Sequence, residues 1–562
     1  MKRTVSKTGV SRRAVLKAGA AGLATALTAS RARLSAAIDL TSDPDIILTN
    51  GEIYTMDSPF ADRATFATSL SIRAGRIVQV GNVTQAPGPN TKVIDLQGKT
   101  VIPGIIDGHN HIVLVGNRPG YHVLMEDLSR VEDVIARYVA KFNALGMTAL
   151  DFMNNPKYGV MTTIGPITAQ QMTFGVTGGN TAGNRLPTVA ELNAALPGVP
   201  IYIQAAQGGT VNAAVDWFAA HPPSGSQLLA LRRDLLTPET RERSALEALR
   251  FYTELGITMH GDKGAFLSDG PNNGIANENY YTMHYPFFTL WREARMAARL
   301  RIDYLHQDAA TDANLTTLGP RLRNSWQFHG DGMMKTSSIG EFTGGGLEGL
   351  RAIARAGWSG EDHIVAGSPN ALITARENVQ NGSDGVPGID IRGLRWIIAN
   401  IPQMNATDAA RWNALGGGVW VGWGPTRTGT NVGPPYRSLF GTNGTDVIHM
   451  GWHSDGGDIT CISPWLNLYT TISGRNLLGA QILGDENITR HQAVWIATAA
   501  QKWFFREEDI GTIEPGNHAD LVVLDRNLFD EEETPELQIK EIKSILTMVA
   551  GNVVYNRGIL SV

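Results

Sequence analysis

From residue 44 to about 100 the chain alternates short apolar runs with turn-forming residues. Asp45-Ile46-Ile47-Leu48 is followed by Asn50-Gly51, then by Leu70-Ser71-Ile72, by Arg76-Ile77-Val78-Gln79-Val80-Gly81 and by Lys92-Val93-Ile94-Asp95-Leu96. Runs of this length, bounded by Gly, Asn and Asp, predict short strands and suggest a small β-sandwich. The same pattern returns at the far end, in Ala519-Asp520-Leu521-Val522-Val523-Leu524-Asp525 and from Ile545 to Val554 before Asn556-Arg557-Gly558. Residues 44–100 and 506–562 are therefore expected to build one domain from both chain ends.

The middle, 101–505, has a different rhythm. Helical segments such as Ala245-Leu246-Glu247-Ala248-Leu249-Arg250-Phe251-Tyr252 lead into apolar strands such as Gly256-Ile257-Thr258-Met259. Strands alternating with crossover helices predict an α/β parallel sheet, and the length suits a (β/α)8 TIM-type barrel with insertions. The stretch 112–245, rich in Gly, Pro, Thr and Asn, is the least regular and is expected to be inserted loops and helices over the barrel mouth.

Composition narrows the class. Across 562 residues, 43% are hydrophobic and 18% charged, ordinary for a globular protein with a large core and unlike a disordered or membrane-embedded chain. A net charge of −5 gives no basic stripe, which argues against a nucleic-acid partner. The single cysteine, Cys461, cannot form an internal disulfide and is expected to be a buried small hydrophobe. The acidic run Asp530-Glu531-Glu532-Glu533 reads as a solvated loop.

The first 37 residues read as an address. Ser11-Arg12-Arg13-Ala14-Val15-Leu16-Lys17 follows a cationic start, Ala18 to Ala29 is weakly apolar, and Leu34-Ser35-Ala36-Ala37 offers a small-residue cleavage site. This resembles a twin-arginine (Tat) signal peptide, which implies recognition by the Tat machinery and a periplasmic or secreted protein exported already folded. The apolar run is too short and too rich in Ala, Gly and Thr for a stable membrane span.

The strongest chemical signal is Thr100-Val101-Ile102-Pro103-Gly104-Ile105-Ile106-Asp107-Gly108-His109-Asn110-His111. Side chains two apart on a strand share a face, so Asp107, His109 and His111 are expected to point one way, and two imidazoles on one face can share a divalent ion. The pattern Pro-Gly, two apolar residues, Asp-x-His-x-His resembles the first strand of the amidohydrolase superfamily. A second likeness lies at Ile513-Glu514-Pro515-Gly516-Asn517-His518-Ala519-Asp520, the return into the β-sandwich. The chain is most similar to the amidohydrolase-3 branch, which includes N-substituted formamide deformylases.

The resemblance implies further site residues. Trp452-His453-Ser454-Asp455 resembles the end of the eighth strand, where the family places an Asp that contacts metal and takes a proton from the attacking water, so Asp455 is the expected base. His453 shares its strand face and is a candidate for metal or substrate. His363, in Ser359-Gly360-Glu361-Asp362-His363, resembles the metal-ligand His of strand five. Two departures stand out. Arg395-Trp396-Ile397-Ile398 places Ile398 where strand six carries a second-metal His, and Gln327 stands where many relatives have a bridging Lys ahead of Asp331-Gly332. Gln327, His329 and Asp331 alternate, so His329 is a candidate to point into the site, and His260, ending a strand-like run, is another for metal or substrate.

The expected protein is thus a hydrolase of a C–N bond in an amide, formamide or cyclic amide. One divalent metal, zinc by its His and carboxylate donors with Fe, Mn or Co also fitting, would be held by His109, His111, Asp455 and His363. Trp326, Trp358, Trp396, Trp420, Trp423, Trp452 and Trp465 cluster near the strand ends, and some of them are expected to give a small-molecule substrate an apolar pocket. A lactonase, lyase or isomerase on the same metal, or a non-catalytic periplasmic binding relative, uses the same residues, and homo-oligomer formation stays open.

If the paired arginines are an address, replacing Arg12 and Arg13 together by Lys leaves the precursor folded but in the cytoplasm. Cell fractionation tests this, and normal export of the variant would refute it.

Overall fold

The computed structural model describes residues 41–116, 120–126, 128, 130–154, 160–164, 185–203, 212–214, 238–264, 283–304, 315, 318–341, 346–364, 366–422, 424–425, 433–440, 448–457, 460–477 and 479–562. The expected export address and Trp423 lie outside these residues.

Eight parallel strands organise the middle of the chain: β1 (Ile105–Asn110), β2 (Ile257–Asp262), β3 (Arg299–Tyr304), β4 (Met334–Ile339), β5 (Glu361–His363), β6 (Ile397–Ala399), β7 (Gly418–Gly422) and β8 (His449–His453). They form two four-stranded sheets in the orders β4-β3-β2-β1 and β5-β6-β7-β8, parallel throughout. A parallel bridge between Ile339 and Gly360 joins β4 to the start of β5, and another between Asn110 and Gly456 joins β1 to the segment after β8. Each outer strand of one sheet thus meets an outer strand of the other, and the fold is α/β.

Both faces of these strands are buried, as parallel sheets require. On β6, Ile398 packs in the large apolar cluster with Trp396, Trp412 and Val421. Its neighbours Ile397 and Ala399 pack in a second cluster with Ile106, Met259, Trp420 and Phe505. Crossover helices cover the first of these faces. In Pro238–Glu254 the residues Ala245, Ala248, Leu249 and Tyr252 repeat at helical spacing and are all buried.

Segments from the two chain ends pair in one sheet. Strands 46–49, 70–73, 76–80 and 92–95 form one four-stranded sheet, and a six-stranded sheet runs in the order 552–556, 544–549, 521–524, 100–103, 52–54, 66–67. Strand 521–524 pairs antiparallel with 100–103, knitting the C-terminal segment to the residues that feed β1. Leu48, Ile72 and Ile94 of the first sheet share an apolar cluster with Ile53, Val101, Leu521 and Ile545 of the second.

The stretch 112–245 differs from the expected loops and helices. Beside the helices Val131–Leu145, Ala149–Asn154 and Val189–Ala195 it contains a four-stranded sheet of 120–124, 160–164, 201–203 and 212–214, with an apolar cluster of its own that includes Val123, Tyr138, Met161, Leu192 and Ile201. Strands of three to five residues set among Gly and Thr carry too little periodicity to be read from sequence. No helix among the described residues is long and apolar enough to cross a membrane. Cys461 is buried.

Buried ion pairs fasten β3 to the returning C-terminal segment. Arg299 donates from Nε and Nη2 to Asp520 at 2.6 and 3.0 Å, and Arg301 donates from Nη2 to Glu507 at 2.8 Å. Burial alone would raise the Asp520 carboxyl, but the Arg299 guanidinium holds it below the usual range. Its contribution to stability is therefore present above the unfolded carboxylate value of about 4 and is lost as pH falls through the lower folded value. Asp520→Ala strands a buried guanidinium and should cost about 3–5 kcal/mol near neutrality. Urea denaturation should show that gap narrowing in acid, and a gap independent of pH would count against the ion pair.

Candidate metal centre

Chemistry gathers at the C-terminal ends of the parallel strands, where their polar side chains emerge from the apolar layers. His109 lies in β1 and His111 just beyond it. Asp455, two residues past β8, sits in the left-handed region at φ 54° and donates its backbone N–H to the His109 carbonyl at 2.9 Å. The Nε2 atoms of His109 and His111 both lie 3.2 Å from Asp455 Oδ1. Glu341, two residues past β4, brings its Oε2 within 3.5 Å of His111 Nε2. One donor atom from each of His109, His111, Glu341 and Asp455 lies within 4.8 Å of all the others, and all four residues are buried.

Two more side chains complete the rim. His363, the last residue of β5, has Nδ1 2.7 Å from Glu341 Oε1 and Nε2 3.3 Å from Asp455 Oδ2. Asn400, immediately after β6, donates from Nδ2 to Asp455 Oδ2 at 2.9 Å and also touches His363 Nε2.

Hydrogen bonding on the far side of each ring fixes what the site presents. His111 Nδ1 meets the Gly264 carbonyl at 2.8 Å, and His109 Nδ1 meets the Glu361 carboxylate. Carbonyl and carboxylate oxygens only accept, so Nδ1 carries the hydrogen in both rings and Nε2 turns a lone pair inward. Two lone pairs then face a carboxylate oxygen. His109 Nε2 and Glu341 Oε2 have no hydrogen-bond partner among the described residues. That arrangement repels itself unless positive charge enters. Without a cation the charge comes as protons: burial opposes it, but Asp455 and Glu341 push the His111 imidazole up to about 9. Against the same burial, the imidazoles of His363, His109 and His111 gathered around it hold Asp455 well below the carboxylate range. A divalent ion would supply that charge instead. Tetrahedral ligands at ~2.0–2.1 Å stand about 3.3 Å apart, close to the spacing of these donors.

The remaining sequence candidates separate. His453 is buried beside His109, ring centroids 5.0 Å apart, and neither of its nitrogens has a hydrogen-bond partner among the described residues. His260 is not brought to the cluster. Its Nδ1 pairs with Asn110 Nδ2 at 2.9 Å, its ring packs edge-on against Tyr252 of a covering helix, and burial pushes it down to about 3. His329 is also elsewhere. Residues 327–328 are a turn and Gly330 makes only an isolated antiparallel bridge with Lys335, so no parallel strand runs here, and His329 is exposed against Trp326.

The strand-four position therefore belongs to Glu341, not to Gln327. The strand-six position belongs to Asn400, since Ile398 points into the apolar cluster. Neither Glu341 nor Asn400 was marked by a sequence motif. Of the tryptophans, Trp358, Trp396, Trp420, Trp452 and Trp465 are buried core, whereas Trp326 is 61% exposed.

With this geometry in place, a model described as amidohydrolase family matches residues 92–347 and 404–555, well over half the chain. The chain belongs to the amidohydrolase family. It is similar, at 35% identity over 83 residues, to the N-substituted formamide deformylase of Arthrobacter pascens. That match covers 14% of this chain and only 15% of the relative. Among solved structures it resembles an uncharacterized metal-dependent hydrolase from Pyrococcus furiosus, with a TM-score of 0.54 and 15% identity over 86% of this chain and 100% of that one. It also resembles the atrazine chlorohydrolase TrzN from Arthrobacter aurescens TC1, complexed with zinc, with a TM-score of 0.51 and 12% identity over 91% and 95%. At such identities the likeness concerns the fold.

Within this amidohydrolase, Asp107 does not join the imidazoles as its place in the motif suggested. It accepts from the Ser454 backbone N–H at 2.9 Å and from the Ser454 hydroxyl at 2.5 Å, and Gly456 N–H donates to that hydroxyl at 2.8 Å. Burial pushes the Asp107 carboxyl up to about 6, against the pull of Ser454. This latch flanks the left-handed Asp455 and holds it over the histidines. Asp107→Ala leaves the Ser454 N–H buried without an acceptor and should destabilise the fold by about 1–3 kcal/mol. It should also lower turnover, and a variant with wild-type melting and wild-type rate would refute the latch.

Proposed function

We propose that this amidohydrolase cleaves a C–N bond of an amide, formamide or cyclic amide in a small, partly apolar substrate, at one divalent cation held by His109, His111 and Asp455. The reading rests chiefly on the convergence of both Nε2 atoms on Asp455 Oδ1 at 3.2 Å. The eight parallel strands, bridged at both junctions, support a closed (β/α)8 barrel whose C-terminal face carries the site. The similarity to a formamide deformylase favours the C–N substrate class, and the zinc of TrzN favours zinc.

When bound, a divalent cation polarises the carbonyl and acidifies water. The chain's own groups do the rest. Asp455, kept ionised by the surrounding imidazoles, accepts the proton of the attacking water and returns it to the leaving nitrogen. Asn400 orients that carboxylate by donating to Oδ2, which leaves Oδ1 facing the histidines. Glu341 and His363 close the donor set. Asn400 presents an N–H where a second cation would need a lone pair, so one tightly held metal is expected.

Elemental analysis of purified protein should find one equivalent of metal per chain, and a screen of N-acyl and N-formyl compounds should find turnover. Asp455→Asn keeps the shape but loses the proton acceptor, so the rate should fall by about two orders of magnitude with metal largely retained. A protein that binds no metal, or an Asp455→Asn variant at full rate, would overturn the reading.

A further inference from the structure

Behind His109 runs a line of three buried charges, from β3, β5 and the residue that follows β2. The Lys263 ammonium, just after β2, pairs with the Asp303 carboxylate of β3 and lies 2.6 Å from Glu361 Oε2 on β5. The other Glu361 oxygen holds His109 Nδ1. Ser338 of β4 donates to Asp303, and the Trp420 ring of β7 lies 4.2 Å from the ammonium. Lys263, Asp303 and Glu361 are all fully buried.

The local sequence makes room for this line. A Cβ at Gly340 would stand 2.7 Å from the Glu361 Cβ, so the glycine before Glu341 admits Glu361. Lys263 donates its backbone N–H to the Asn110 carbonyl at 2.9 Å, and the next residue, Gly264, supplies the carbonyl that holds His111. The two residues that follow β2 therefore reach the outer nitrogen of both histidines, one through Glu361 and one directly.

Barrel interiors are usually filled by branched apolar residues, and replacing buried ion pairs with apolar side chains is often neutral or stabilising. Packing alone does not call for this cluster. One cation between two carboxylates leaves a net negative charge directly behind His109, and a carboxylate on Nδ1 both selects the Nε2 lone-pair tautomer and strengthens it as a ligand. We infer that Glu361 is a positioning residue that presents His109 to the cation, with Lys263 and Asp303 fixing Glu361 in place. This rests on the proposed cation site.

Zinc titration of the metal-stripped full chain against a competing chelator tests the inference without reference to substrate. Glu361→Gln keeps an acceptor for His109 but loses the charge, and should weaken zinc about 10-fold. Glu361→Leu loses both, and should weaken it about 100-fold and change the visible spectrum of the Co2+-loaded protein. Glu507→Gln, at a buried carboxylate remote from the histidines, serves as control. Zinc affinity unchanged in Glu361→Gln, or reduced as much by Glu507→Gln, would overturn the positioning role. Failure of the wild-type chain to bind zinc or Co2+ would instead refute the cation site itself. If the leucine variant fails to fold, the comparison of the two glutamine variants still decides.

Discussion

Buried negative charge is the constraint that the rest of this molecule accommodates. Asp455, Glu341, Glu361 and Asp303 lie within a few residues of the same strand ends, all out of water, with Lys263 the one lysine among them. Carboxylates left so would repel one another and protonate. The structure answers with a fixed lysine, with three histidines turned toward the carboxylates and with an inward geometry suited to a cation. The short strands β5 and β6, the glycines at 264 and 340 and the left-handed backbone at Asp455 each follow from bringing these groups together.

How much of this was legible in sequence depends on which forces shape each strand. The Asp-x-His-x-His run was legible because period two and a preceding Pro-Gly both point to a strand end, and Asp455 because its surroundings resemble a known strand end. Strand four was misplaced. Trp326-Gln327-Phe328-His329 alternates apolar and polar residues as a strand does, yet it is a turn, while the true strand Met334-Lys335-Thr336-Ser337-Ser338-Ile339 reads as polar. Its polar residues are used inside: Ser338 holds Asp303, and Thr336 bonds the Trp326 carbonyl at 2.6 Å. A hydrophobicity pattern cannot find a strand whose neighbours are charged side chains.

Asn400 and Glu361 escaped for a related reason. Each stands two residues from a position that the family resemblance did mark, Ile398 and His363; period-two alternation would give Asn400 the face of Ile398, but Asn400 lies just past β6 in the left-handed region at φ 62°, where the alternation no longer holds. The contact of Asn400 Nδ2 with Asp455 Oδ2, at 2.9 Å, shows that Asn400 is the group reaching the site. Lys263 carries no motif at all. Its role depends on Asp303 and Glu361, 40 and 98 residues downstream in the numbering, brought to it by the sheet.

The strand Arg299-Leu300-Arg301-Ile302-Asp303 joins the site to the rest of the fold. By alternation alone it would be an amphipathic strand with one face in water, yet all five residues are almost fully buried. Leu300 and Ile302 face the large apolar cluster. Arg299, Arg301 and Asp303 face the other way, and each has a separate partner: Asp520 in the returning segment, Glu507 just before it, and Lys263 behind the histidines. One strand thus carries, at successive period-two positions, the attachment of the terminal segment and the carboxylate that pairs with Lys263 behind His109. A change that shifts β3 to relieve the first must also displace the second, so the attachment of the terminal segment and the placement of the Lys263–Asp303 pair depend on one strand.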